Sequence, residues 1–345
     1  MRFACQSVLH IAAASSLCLA MTGCVVGPNY HRPSAPATAP TFSEAVPPPN
    51  PVGGSWKQAQ PSDAVLRGKW WEMYNDPQLN ALEEKLTISN QTLKAAMNQY
   101  LAAREQIHIA RADYYPTVSA GPSVSRTRES YNRPNSQRAQ TQYQYNTFDL
   151  EGQALWEPDL WGKVRRTVEQ SRANAQASAA DLASVELSLR SELAIDYFQM
   201  RGLDTQEQLL NNAVAAYTDF YKLTNVRFKG GIATDVDVAQ AETQLKTTRA
   251  QAIDIGVARA QYQHAIATLI GVSPSVFSLP SAPLNLKLPT IPTGVPSALL
   301  ERRPDIAAAE RRTDAANAQI GIAISAYYPT ITLEGIGGFE SSHPG

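Results

Sequence analysis

The chain has 345 residues, with 30 Lys and Arg against 31 Asp and Glu, three Cys and 23 Pro. That length allows about two ordinary domains and a sizeable core, while the near-zero net charge speaks against a nucleic-acid binder, which needs a basic surface. Five scattered His, three Cys and no Cys-x-x-Cys or His-x-x-x-His pair point to no metal and no cofactor. The mature chain has no apolar run of spanning length, which excludes a polytopic helical membrane protein but leaves a β-barrel open.

Residues 3–28 carry no charged side chain, Arg2 precedes them, and Val8 to Ala20 is apolar enough for a signal h-region. Met21-Thr22-Gly23-Cys24 then places small residues before a thiol. That pattern marks residues 1–23 as a lipoprotein signal cleaved between Gly23 and Cys24, with Cys24 taking the lipid. The other readings are an uncleaved anchor, for which the segment is short, or an ordinary signal with an incidental Cys. Cleavage removes Cys5 and Cys18, so no intramolecular disulfide is expected. Val25, rather than Asp, follows the lipidated position and directs the expectation to the outer membrane. Residues 28–61 hold nine Pro, so residues 24–69 read as lipid anchor and extended tether.

Asp76-Pro77 suits an N-cap and first helical position. Leu79, Leu82, Leu86, Leu93, Met97, Tyr100 and Ile107 then keep helical spacing, with a break expected at Ser89-Asn90. From Tyr114-Tyr115-Pro116 the period becomes two, and a strand pair is expected over 117–157, with a polar loop from Arg126 to Asn146 between the strands. Phe148, Leu150, Ala154 and Trp156 share one face; Asp149, Glu151 and Gln153 share the other. Lipid outside and water inside a barrel explain this alternation. A soluble hairpin with one solvated face explains it equally well.

No Pro occurs between Pro158 and Pro274. Val164 to Phe228 reads as one helix of about 97 Å at 1.5 Å per residue, with a weak point at Gly202. Its seam of Val164, Val168, Ala175, Leu182, Val185, Leu189 and Leu193 is spaced by Ala and Ser, which allow close helix packing. Gly230-Gly231 ends the helix, Thr234 caps the next, and that helix runs from Asp235 to about Ile270, giving a hairpin over 164–270. Residues 273–303 form a second Pro-rich linker. A helix over 304–326 and a strand from 330 follow. Pro304 and Asp305 suit that helix's first turn, and Arg303 and Asp305 are expected to make structural contacts.

Residues 102–117 align without gaps to residues 315–330, with ten of sixteen positions identical at an offset of 213. A repeat this long is a duplicated domain half, so 70–272 reads as one full repeat and 304–345 as the start of a second. Paired carboxylates occur at Glu157/Asp159 and Asp235/Asp237, at element starts where capping explains them better than catalysis does.

Four stretches carry a family resemblance. They are Cys24 to Pro33 (CVVGPNYHRP), Trp156 to Arg166 (WEPDLWGKVRR), Arg227 to Asp235 (RFKGGIATD), and Arg303 to Ile306 with Glu310 and Ala315 to Pro329. In this order the chain resembles the outer membrane efflux proteins, the TolC-like channels, and within them the NodT-type lipoproteins. The resemblance implies a mainly α protein with membrane β-strands. Long helical hairpins would form a periplasmic helical barrel beneath a β-barrel shared by a homotrimer, each protomer giving four strands. It also implies a passive export duct with no catalysis, served by a periplasmic adaptor protein and an inner-membrane RND pump and set in outer-membrane lipid, with adaptor docking at Arg227, Gly230, Gly231, Thr234 and Asp235. A periplasmic coiled-coil structural or adaptor lipoprotein is the competing reading. The family's fourth strand, second hairpin and acidic constriction are expected beyond residue 345. The offset applied to Gly271 places the end near 484, so the sequence is expected to be a fragment or a truncated product, whose three strands do not close a regular twelve-stranded barrel.

Overall fold

The computed structural model describes residues 25–32, 68–128, 144–284 and 302–343. The signal, Gly23, Cys24, most of the Pro-rich tether, residues 129–143 of the polar loop and residues 285–301 of the Pro-rich linker lie outside the described residues; the loop reading is corrected at both ends, since Arg126 to Arg128 and Gln144 to Asn146 are paired strand residues. A 3₁₀ turn over Trp70–Tyr74 is followed by α1 (Pro77–Ser89), α2 (Gln91–Ala112), β1 (Thr117–Arg128) and β2 (Gln144–Trp156). Then come α3 (Lys163–Lys229), α4 (Asp235–Leu269), α5 (Pro304–Ser325) and β3 (Leu333–Ser341). The protein is mostly helical, with one three-stranded antiparallel sheet in the order β1-β2-β3. No helix among the described residues is long and apolar enough to cross a membrane.

The chain divides into two compact units. The helical unit holds residues up to Tyr100 from the tether, and Ser178–Ala308. Its core joins Leu79, Leu82 and Leu86 of α1 to Leu193, Tyr197 and Met200 of α3 and Ile266 and Leu269 of α4, with Trp71 over one end. Asp76 caps α1 as its spacing predicts, accepting from the backbone N–H of Gln78 (2.9 Å) and Leu79 (3.1 Å). Its second oxygen accepts from the Tyr197 hydroxyl at 2.6 Å, which fastens the cap to α3. Asn90 sits at the expected break. Its Oδ1 accepts from Leu93 N–H at 2.8 Å and its Nδ2 donates to the last carbonyl of α4, Leu269, at 2.7 Å. One buried amide therefore starts α2 and satisfies the end of α4.

Gly202 does not weaken α3, which runs without interruption through it. A mid-helix Gly costs about 1 kcal/mol against Ala. Its neighbours Met200, Arg201 and Asp204 are all buried, and that anchoring outweighs the Gly. Arg201 and Arg259 converge on Asp204, whose side chain is fully buried. Ser281 Oγ and the Ala282 N–H, both at 3.1 Å, complete its shell, so the segment after α4 is bound back onto the helical pair.

Glu83 on α1 is also fully buried, but neither of its oxygens has a hydrogen-bond partner, and Arg190 stands 3.6 Å away. Burial pushes its carboxyl up to about 7, partly opposed by Arg190. The sign follows: between about 4.5 and 7 the unfolded chain releases a proton that the folded chain keeps, so stability falls as pH rises through that window. A shift of this size corresponds to roughly 3 kcal/mol. In Glu83→Gln, thermal midpoints between pH 5 and 7.5 are expected to lose most of the downward slope seen in the parent. An unchanged slope would place the titration elsewhere.

The second unit holds the N-terminal segment, Leu101–Ala177 and Ala309–Gly345. Here the tether reading is corrected for its first residues. Residues 25–32 do not run free: Val26 N–H donates to the Trp161 carbonyl at 3.1 Å, Asn317 Nδ2 donates to the Pro28 carbonyl at 3.0 Å, and Arg32 pairs with Glu310 at 2.8 Å. The remainder of the expected tether lies outside the described residues. The start of β3 is also corrected, from 330 to Leu333. Leu333 pairs with Trp156, the last residue of β2; beyond it Glu157-Pro158 turns away and Pro158 has no N–H to donate. Thr330, Ile331 and Thr332 are therefore outside the ladder.

The repeat is visible in backbone detail. Tyr114 and Tyr115 N–H donate to the Arg111 and Ala112 carbonyls, and Tyr327 and Tyr328 donate to those of Ile324 and Ser325. These are the same bonds at the same offset, ending each helix before its strand.

Candidate functional site

Two places carry the residues singled out from sequence: the sheet in one unit and the turn between α3 and α4 in the other. The sheet ladder contains no bulge, so side chains alternate strictly between its faces. On one face, Val118, Pro122 and Val124 of β1 stand beside Ala154, Leu150 and Phe148 of β2, with Gly335, Phe339 and Ser341 of β3 beyond them. Trp156 and Leu333 close the row at the end nearest the helices. This apolar face is uncovered: Val118 is 74% exposed, Leu150 56% and Phe339 82%. The opposite face carries Ser119, Ser123, Asp149, Glu151, Gln153, Glu334 and Glu340. Ser123 Oγ donates to Asp149 at 3.0 Å and Gln153 Nε2 to Glu334 at 2.6 Å, tying the three strands through polar side chains. The structure thus brings together all seven β2 residues named from sequence, in the two sets expected. Leu155 and Ile336, which the sequence reading did not place, interrupt the polar face close to its helix end.

The helix end of the sheet is pinned by indoles. Trp156 Nε1 donates to the Tyr114 carbonyl at 3.1 Å, and Trp161 Nε1 to the Pro329 carbonyl at 2.8 Å while stacking on Tyr328. Asp159 caps α3 through the N–H groups of Val164 and Arg165, both at 3.0 Å, and pairs with the Arg165 guanidinium. Glu157 pairs with Lys163 at 3.5 Å. These two carboxylates are thereby absorbed in starting a helix.

Arg166, only 2% exposed, donates to the carbonyls of Val26 (3.3 Å) and Gly27 (3.1 Å), to Asn29 Oδ1 (2.8 Å) and to Glu169 (2.7 Å). Gly321 of α5 lies beneath its side chain, and a Cβ there would meet Arg166 Nε at 2.9 Å; a Cβ on Gly27, whose φ is +90°, would meet Gly321 Cα at 2.5 Å. Three of the four motif stretches therefore meet at one point. Sequence reasoning listed Arg166, Gly321 and Asn29 inside motifs but had no signal that they touch.

At the other place, α3 ends in a Schellman turn. Ile232 N–H donates to the Arg227 carbonyl and Gly231 N–H to that of Phe228, both at 2.9 Å. Gly231 has φ +73°, a conformation that L side chains rarely adopt. Thr234 then caps α4 with a full capping box: Thr234 N–H donates to Asp237 Oδ2 at 2.8 Å and Asp237 N–H to Thr234 Oγ1 at 3.3 Å. Donations from Thr234 N–H and Thr234 Oγ1, both at 2.8 Å, hold the Asp237 carboxyl below its usual range. The structure assigns the reciprocal cap to Asp237, while Asp235 supplies only first-turn charge.

Beside the turn lies a groove of about 510 Å³ whose walls include Tyr217, Phe220, Thr224, Arg227, Ile232 and Asp237. Arg227 is the residue shared by the sequence-derived tip and the groove. Tyr217, half-buried, and Phe220, exposed, were not singled out, because their place in the groove depends on α4 lying alongside α3. Among the described residues no three His, Cys, Asp or Glu side chains converge as a metal site would require.

One unit holds a small sheet with one apolar and one acidic face, and the chain also forms helices of 35 and 67 residues. The chain belongs to the outer membrane efflux protein family, which it matches over residues 82–272 and 295–344. It is 31% identical over 330 residues to the probable efflux pump outer membrane protein TtgC of Pseudomonas putida, covering 95% of this chain and 65% of that relative. It is 32% identical over 295 residues to the pyoverdine export outer membrane protein OpmQ of the same species, covering 82% of this chain and 61% of that one. Among solved structures, the outer-membrane channel OprN is 29% identical with a TM-score of 0.78, over 93% of this chain and 68% of that one. The Campylobacter jejuni CmeC outer membrane channel is 26% identical with a TM-score of 0.79, over 93% and 66%. The family is one of channels rather than enzymes.

Proposed function

We propose that this chain is the outer-membrane channel component of a tripartite efflux pump, a passive duct carrying small molecules from the periplasm to the outside. The observation that carries the reading is the sorting of the sheet into an uncovered apolar face and an acidic, hydrogen-bonded face. An uncovered face holding Phe148, Leu150, Ala154 and Trp156 needs an apolar medium, and lipid supplies it. Asp149, Glu151 and Gln153 then line the water-filled lumen. In the family's arrangement three copies share the barrel, Cys24 anchors each copy in outer-membrane lipid, and a periplasmic adaptor docks at Arg227, Gly230, Gly231, Thr234 and Asp235, delivering cargo from an inner-membrane RND pump. The turn supports this last assignment because it is hydrogen-bonded at both helix ends and its flanks are apolar and exposed: Val226 is 66% exposed and Ile232 81%. Nothing in the site calls for catalysis.

The test removes the lipid and asks whether the sheet alone holds the membrane. A Cys24→Ser variant of the full-length form, with the second repeat complete, is expected to stay in the membrane fraction through a detergent-free carbonate wash. Adding Leu150→Arg places a charge on the apolar face, at a cost of about 2–4 kcal/mol at mid-depth, and is expected to deplete the membrane fraction; Gln153→Arg, on the other face, is expected not to. Release of the Cys24→Ser parent by carbonate would overturn the reading in favour of a periplasmic coiled-coil lipoprotein.

A further inference from the structure

Every charged residue within the three strands is sorted by face. Asp149, Glu151, Glu334 and Glu340 all stand on the polar face, while Arg126 and Arg128 both stand on the apolar one. The two arginines occupy the end of β1 farthest from the helices. They follow directly on Val124, the last apolar residue of the β1 row, and register with Asn146 and Gln144 of β2. Both are exposed. With the Gln144 amide oxygen turned toward it, Arg126 donates from Nε at 2.8 Å, which holds that guanidinium on the face rather than over the strand edge.

Distance along the strand gives this end its meaning. From Trp156 to Phe148 the apolar row of β2 covers eight residue steps, about 27 Å along a strand and about 20 Å in height once the usual barrel tilt is applied. Arg126 begins one row beyond. An apolar band of about 25 Å ends at that level, where acyl chains give way to headgroups. A surface that is apolar for one hydrocarbon thickness and then carries paired guanidiniums, with no carboxylate on that face within the strands, matches an amphiphile with acyl chains below and phosphate above. Guanidinium binds phosphate oxygens bidentately.

We propose that Arg126 and Arg128 form a binding site for the phosphate groups of an outer-leaflet glycolipid, and that this site sets the depth of the sheet in the membrane. The proposal rests on the membrane reading of the apolar face. A glycolipid phosphomonoester is favoured over a phospholipid because the arginines lie at the strand end away from the helices. In the proposed function that end faces the outer surface of the outer membrane.

The test uses the full-length form, with the second repeat complete, and three vesicle types: phosphatidylcholine alone, phosphatidylcholine with bis-phosphorylated lipid A, and phosphatidylcholine with phosphatidylglycerol at matched charge. The parent is expected to enter plain vesicles, to bind phosphatidylglycerol vesicles about thirtyfold more tightly, the gain for two cationic side chains at an anionic surface, and to bind lipid A vesicles more tightly still through bidentate contacts to the phosphomonoester, with most of the gain lost in high salt. Arg126→Gln/Arg128→Gln should enter plain vesicles as the parent does and lose the lipid A gain; the Lys/Lys double variant should recover part of it. An equal lipid A gain in the Gln/Gln variant overturns the site. An equal gain on phosphatidylglycerol overturns the glycolipid assignment. Failure of the parent to enter any vesicle overturns the membrane reading itself, and the site with it.

Discussion

Replacing Asp204 with Ala is expected to lower the stability of the helical unit by about 3–5 kcal/mol, the range for removing one partner from a buried charge network. Arg201 and Arg259 are 4% and 16% exposed at their side chains, and without Asp204 both guanidiniums face mainly carbonyls: Pro280 for Arg201 and Leu279 for Arg259, each at 2.8 Å. Their charges then have no buried counter-ion. The effect reaches the backbone as well, since the Ala282 N–H loses its acceptor. Burial by itself raises the Asp204 carboxyl, but hydrogen bonds from Arg259, Ala282 and Arg201 outweigh it and hold the group below its ordinary value. Its stabilising effect is therefore present above the ordinary carboxylate range and disappears as pH falls through the lowered folded value. Glu83 has the opposite sign, so the two buried acids of one unit press stability in opposite directions with pH. Chemical denaturation of Asp204→Ala and Asp204→Asn at neutral pH checks this, with Asn recovering only a small part. A loss below about 1 kcal/mol, the value of an ordinary exposed pair, would show that the arginines find other partners.

Arg166→Ala is expected to release residues 25–32 from the sheet-bearing unit. Arg166 supplies three donations to that segment, to the carbonyls of Val26 and Gly27 and to Asn29 Oδ1. At about 1 kcal/mol each, their loss is roughly 3 kcal/mol of local opening energy, a factor of about 100 at 1.4 kcal/mol per decade. Hydrogen exchange at the Val26 amide, which donates to the Trp161 carbonyl at 3.1 Å, should quicken by about that factor. Arg166→Lys should restore little, because one ammonium cannot span acceptors on three residues. An unchanged Val26 exchange rate would mean that Arg32–Glu310 and Asn317 hold the strap without Arg166.

Much of this architecture is local and so was readable. The Asp76-Pro77 start, the break at Asn90, the Gly-Gly turn and the Thr234 cap are each decided within a few residues, and the strand faces follow from alternation over nine residues of β2. What could not be read depends on partners far away in the chain. Nothing around Arg166 says that a guanidinium so placed is buried, because its acceptors lie about 140 residues earlier. Asp204 looks like a solvated helix residue until Arg259 and Ser281 are brought to it. The groove at the tip shows the same division: the turn residues were legible from their caps, while Tyr217 and Phe220 gain meaning only when α4 folds back along α3. Gly202 misled for the converse reason, as local propensity predicted a weakness that tertiary burial on either side suppresses.

The pairing of β2 with two repeat-related strands has a geometric consequence. At the offset of 213 residues, Gly337 of β3 is the counterpart of Val124 in β1. Yet Phe148 lies opposite Val124 on one side and opposite Ser341 on the other. Crossing two strands at right angles therefore climbs the repeat by four residues, about 13 Å at 3.3 Å per residue. That stagger is shear, and in a sheet that closes on itself shear and strand number together dictate how far the strands lean and how wide the opening is. A slip of β3 by two residues would leave every side chain on its present face, yet it would break the Gln153–Glu334 hydrogen bond and change the shear. In the proposed channel, the diameter of the opening is thus tied to the register that sets Leu333 opposite Trp156.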